Sequence, residues 1–196
     1  MLTLEDILDL RAYERVREEF RRRVIAKKRL RRIALGPIMT VVFECEDTVK
    51  FQVQEMARVE KIISDEGIQE ELDVYNCLLP RGMELSATLF IELTNESDLR
   101  HWLPRLTGIE SALSIALGGA DGASQVRSFP EAGHARALTR DTTTPAVHYL
   151  RFKFEDDQVR ELAERPAALV VDHPSYQARS ELSDATRSEL VGDLAS

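Results

Sequence analysis

Leu85-Ser86-Ala87-Thr88-Leu89-Phe90-Ile91-Glu92-Leu93 decides the fold. The stretch is apolar on nearly both of its faces. A strand of that kind belongs in the middle of a sheet, covered on each side. The neighbouring segments follow from it. Upstream, Arg32–Leu35 and Ile38–Cys45 flank Gly36-Pro37 and read as a β-hairpin. Downstream, Ser111–Leu117 and Ser124–Arg127 flank the glycine-rich turn 118–122. Ala146–Phe154, Ala168–Asp172 and an edge strand over Tyr176–Leu182 complete the strand set.

The helical segments lie between these strands. Asp47 reads as the N-cap of a helix running to about Ile63, with Val49, Val53, Met56 and Ile63 on its apolar face. Ser64-Asp65 opens a second helix that ends near Asn76. Asn95–Leu106, Asp156–Glu164 and a C-terminal helix capped by Ser183-Asp184 follow. Residues 128–145 read as a loop. Helices and strands mix without a βαβ rhythm, so the expected class is α+β with a mainly antiparallel sheet packed by helices. The chain reads as a single domain over 1–196, in which a basic N-terminal helix over 1–33 docks on an α+β body over 34–196.

The net charge of −8 conceals an uneven distribution. Residues 1–66 carry 14 bases and 13 acids, whereas 67–196 carry 12 and 21. Residues 11–32 alone carry eleven bases against Glu14, Glu18 and Glu19. This segment has helical periodicity, with Thr3 as its expected N-cap and Leu4, Val16, Phe20 and Val24 among its apolar positions. Three uses are open for such a basic amphipathic helix. It packs on the acidic remainder of its own chain, it meets an acidic protein, or it meets nucleic acid or anionic lipid. Among the bases, Arg21, Arg22, Arg23, Lys27 and Lys28 are the candidate partner-binding residues.

Several chemistries are missing. There is no phosphate-binding glycine loop and no Gly-x-Ser-x-Gly elbow. Cys45 and Cys77 are too far apart for a Cys-x-x-Cys motif and form no disulfide framework. No apolar run approaches the ~20 residues of a membrane span, and the acidic first ten residues do not resemble a signal peptide, so the expected location is cytoplasmic. His148, on the strand face of Leu150 and Phe152, and His173, at a strand end, are histidines in apolar context. With Glu55 and Glu84 they make a candidate set for non-haem iron or zinc. His101 and His134 lie in helix-surface and loop contexts. Gln54 and Arg58, four apart, are expected to pair on one helix.

Four blocks in order carry a resemblance: Arg-Val-Ile-Ala-Lys-Lys-Arg from Arg23; Asp-Thr-Val-Lys-Phe-Gln-Val-Gln-Glu-Met from Asp47; Glu-Leu-Ser-Ala-Thr-Leu-Phe-Ile-Glu from Glu84; and Val-His-Tyr-Leu-Arg-Phe from Val147 with Val-Asp-His-Pro-Ser-Tyr from Val171. The chain resembles an uncharacterised bacterial domain-of-unknown-function family of about this length. The resemblance implies no catalytic residues. It implies a gene neighbourhood of rubrerythrin-like and iron–sulfur oxidoreductase proteins, and so an accessory role in redox or peroxide defence. The first expected function is therefore a non-enzymatic docking protein for an acidic, rubrerythrin-like or iron–sulfur partner. The alternatives are the His/carboxylate metal site and nucleic-acid binding through the basic helix.

Overall fold

The computed structural model describes residues 1–118, 124–132 and 143–195. The expected turn at 119–122, the middle of the 128–145 loop and His134 lie outside the described residues. Eight strands form one antiparallel sheet: β1 (Arg32–Leu35), β2 (Met39–Phe43), β3 (Glu84–Ile91), β4 (Leu113–Leu117), β5 (Ser124–Pro130), β6 (Val147–Lys153), β7 (Ala167–His173) and β8 (Tyr176–Glu181). Their order is β1-β2-β3-β6-β5-β4-β7-β8. Six α-helices accompany them among the described residues: α1 (Leu10–Arg31), α2 (Glu46–Glu60), α3 (Asp65–Tyr75), α4 (Glu96–Trp102), α5 (Asp156–Glu164) and α6 (Asp184–Leu194). The fold is α+β.

The sheet curls until its two edges approach. The Tyr176 hydroxyl on β8 donates to the Leu35 carbonyl on β1 at 2.6 Å. Inside the curl, Val41 and Phe43, Leu85 and Leu89, Ile115, Leu150 and Phe152, and Leu169 meet in one buried cluster. Full burial of such a side chain stabilises by roughly 1.5–3 kcal/mol. β3 pairs with β2 through Val41↔Leu89 and with β6 through Ala87↔Leu150, which gives it the interior place its composition implies.

The outer face of β2, β3 and β6 is covered as well. Val49 and Val53 of α2 and Leu72 of α3 form a second cluster, which Tyr149 of β6 adjoins. Helix α1 lies over α2 through a third cluster of Tyr13, Phe20 and Val24, with Phe51 against it. Two layers therefore sit outside the curled sheet, with α1 outermost.

Several boundaries differ from expectation. The N-terminal helix does not run from Thr3. Thr3 caps only a 3-10 turn at Leu4–Asp6, and α1 starts afresh at Leu10 with Asp9 accepting from the Ala12 amide. The break has a tertiary cause. The buried Gln54 amide takes both backbone groups of Leu8, at 2.8 and 3.0 Å, and holds that residue out of the helix. Asn76 clamps Leu2 in the same way, with both bonds at 2.9 Å. Gln54 is thus committed to the N-terminal arm and does not pair with Arg58. Helix α2 is capped by Cys45, not Asp47, and stops before Ile63 because Lys61 turns left-handed (φ 57°). Helix α4 ends at Trp102, since Pro104 cannot continue it. Ser128–Pro130 belongs to β5 and pairs with β6, so this part of the expected loop is strand.

Candidate functional site

Helix α1 sorts its bases by face. Tyr13, Phe20, Val24 and Arg31 are buried, and Arg17, Arg23, Lys27 and Arg31 each find an acid from another element. Arg17 donates to Glu55 through Nε at 2.8 Å and Nη2 at 3.0 Å. Arg23 and Lys27 share Asp47, at 3.4 and 2.8 Å. Arg31, almost wholly enclosed, meets Asp193 at 2.5 Å and Glu189 at 3.0 Å on α6. These pairs fix how the helix rotates about its axis.

The opposite face is different. Arg11, Arg15, Arg22 and Arg29 follow one another at steps of four, seven and seven, so they line one ridge. The ridge extends about 27 Å at 1.5 Å per residue. All four are exposed. Among the described residues none of them is ion-paired; Arg22 only turns back to the Glu18 carbonyl of its own helix, at 3.4 Å. Glu18, the acid within the ridge, is engaged by Arg17 at 3.2 Å.

A groove of about 280 Å³ lies between α1 and α2. It is lined by Leu8, Val16 and Phe20 together with Glu19, Arg23, Lys50 and Gln54. Leu8 and Val16 are 42% and 43% exposed, so apolar surface lies open in the groove.

Of the five bases named from sequence, Arg21 and Arg22 are exposed and, among the described residues, free of ion pairs; Arg23 and Lys27 serve Asp47. Lys28 is half-buried and lines a cavity between α1, α2 and the sheet. Arg11, Arg15 and Arg29 were not singled out. Their four- and seven-residue spacing was visible, but which face of α1 is buried was not.

The four candidate metal ligands do not gather at one point. Glu55 faces α1, where Tyr13, Arg17 and Arg58 all donate to it. Those bonds, Arg17's first, hold its carboxyl near a pKa of about 2. Glu84 opens β3 and pairs with Arg151 at 3.3 Å. His148 lies opposite Leu89, five residues along β3 from Glu84, or about 17 Å away. Its Nε2 donates to the Pro145 carbonyl at 2.9 Å, and its Nδ1 is 3.8 Å from Glu110. His173 uses both ring nitrogens: Nε2–H donates to the Thr107 carbonyl at 3.1 Å, and Nδ1 accepts from the Ser175 amide at 3.2 Å. The two histidines thus tie down the 107–110 turn and the segment before β6. Among the described residues no three His, Cys, Asp or Glu side chains are grouped to hold a metal ion.

A curled antiparallel sheet, walled outside by helices and carrying its most basic helix outermost, defines an α+β protein. The chain belongs to the family described as "Protein of unknown function (DUF3501)", whose model matches residues 1–194. It is similar over 98% of both chains, at 37% identity and a TM-score of 0.88, to a crystal structure of a protein of unknown function from Burkholderia pseudomallei K96243. No curated protein matches it. Among the described residues no helix is long and apolar enough to cross a membrane.

Proposed function

We propose that the protein is a non-enzymatic accessory of a cytoplasmic redox system, docking an acidic partner protein on the outer face of α1. The observation that carries this reading is the Arg11–Arg15–Arg22–Arg29 ridge, exposed and, among the described residues, without ion pairs. Of the other bases of α1, Arg17, Arg23, Lys27 and Arg31 are matched by acids of the body. A chain that neutralises its inward bases and leaves a row of outward ones has that row to offer. The groove lined by Leu8, Val16 and Phe20 adds apolar anchorage, and partner interfaces combine apolar anchors with a charged rim. The excess acid of residues 67–196 supports the same orientation, since it repels an acidic partner from the rest of the surface. The family resemblance supports a di-iron, rubrerythrin-like or iron–sulfur protein as the partner class.

Low-salt affinity capture from native lysate, with identification and metal analysis of what is retained, tests the reading. An acidic protein holding iron, released as salt rises, is expected. Retention of nuclease-sensitive nucleic acid would instead assign the ridge to phosphates. Retention of nothing would overturn the proposal.

A further inference from the structure

A second feature lies beneath α1, apart from the ridge. Glu44 follows β2 and is 8% exposed. Its two carboxylate oxygens accept from the hydroxyls of Thr48, at 2.5 Å, and Thr88, at 2.7 Å, themselves buried. Among the described residues Glu44 has no cationic side chain within ion-pairing distance. A buried carboxylate held by hydroxyls alone is under-compensated. It faces a cavity of about 110 Å³ that Lys28 also lines. Among the described residues Lys28 has no ion pair either, although it and Glu44 border the same small space. Tyr75, Tyr149 and Phe90 supply aromatic walls. Burial, reinforced by neighbours that include Tyr75 and Glu44, pushes the Tyr149 hydroxyl above its usual range and keeps it protonated.

The cavity is therefore lined by one fixed negative group and one positive group that are not ion-paired to each other, with aromatic rings beside them. A lone cation would leave Lys28 unmatched, and a lone anion would leave Glu44 unmatched. A molecule with both charges a few ångströms apart satisfies both. We infer that this cavity binds a small amino-acid zwitterion, its ammonium on Glu44 and its carboxylate on Lys28. The small volume, about 110 Å³, favours the smallest amino acids, glycine and alanine. Cation–π attraction from the tyrosines favours the ammonium end.

Isothermal titration of the full-length protein with glycine and alanine tests this, with acetate, methylammonium and phenylalanine as comparisons. Binding of glycine or alanine is expected, and at least about tenfold weaker binding in Glu44→Gln and in Lys28→Met. Lys28→Met keeps the buried hydroxyl network whole, so it reports even if Glu44→Gln fails to fold. The three comparison solutes are expected not to bind. No heat from glycine or alanine up to about 10 mM would overturn the inference. So would unchanged affinity in Lys28→Met, or acetate or methylammonium binding as well as glycine.

Discussion

Glu55 shows how one residue joins two layers. It sits on α2 and accepts from Tyr13 and Arg17 of α1 as well as from Arg58 of its own helix. Its pKa, near 2 when folded, lies below the ordinary carboxylate value of 4.5. A depressed folded-state pKa contributes stability above the unfolded pKa and loses it as pH falls. Glu55→Gln should therefore lower stability at neutral pH by on the order of 2 kcal/mol, discounted for partial exposure, and flatten the fall between about pH 5 and pH 2. Urea midpoints across that range check it; an unchanged acid limb would contradict it. Arg31 is the other single-residue anchor. Its side chain is 3% exposed between Asp193 and Glu189, and leaving such a pair half-removed typically costs about 3–5 kcal/mol. Arg31→Met should lower the denaturation midpoint accordingly. Glu55 attracted a metal reading because a chain shows its carboxylates at once. Two of the three groups that claim it, Arg17 and Tyr13, lie 38 and 42 positions away, and no local pattern reveals them. His173 misled for the same reason: its partner, the Thr107 carbonyl, is a backbone group 66 residues away.

At the scale of elements, the seam between β1 and β8 depends on Gly36. Its φ is +66°, and a Cβ there would collide with the Tyr176 hydroxyl that bonds Leu35. Gly36→Ala should destabilise by more than about 1 kcal/mol. Adding Tyr176→Phe should restore part of the loss by removing the colliding atom; thermal melts of the single and double variants decide it. Strands were legible where burial is two-sided or alternating, as in β3, because composition follows burial directly. Gly36-Pro37 likewise announced its turn. Helix ends were less legible. The Thr3 start followed a sound capping rule, yet Gln54 recruits the Leu8 backbone and shifts the true start to Leu10. The 3-10 turn keeps the Thr3 cap, so the local signal was real and tertiary bonding limited its reach. Ser128–Pro130 read as loop from its turn-forming residues but is held as strand by pairing with β6.

For the whole molecule, charge was legible as a sum and as a split, but not as a surface. The eleven bases of residues 11–32 looked like one basic patch. Folding divides them into inward bases that orient α1, an Arg32 paired with Glu92, a half-buried Lys28 over the Glu44 cavity, and an outward set made of the arginine ridge and Arg21. Among the described residues the outward set is what remains for a partner. A ridge of exposed charges acts mainly on encounter and is screened by salt over about 10 Å at 0.1 M. The most direct test is the affinity of a captured acidic partner for the wild-type protein and for the Arg11/Arg15/Arg22/Arg29→Glu variant, with Lys153/Arg160→Glu as a control of exposed bases elsewhere. At about 50 mM salt the ridge variant should bind at least about 100-fold more weakly and the control should match the wild type. Equal binding by the wild type and the ridge variant would contradict the docking account.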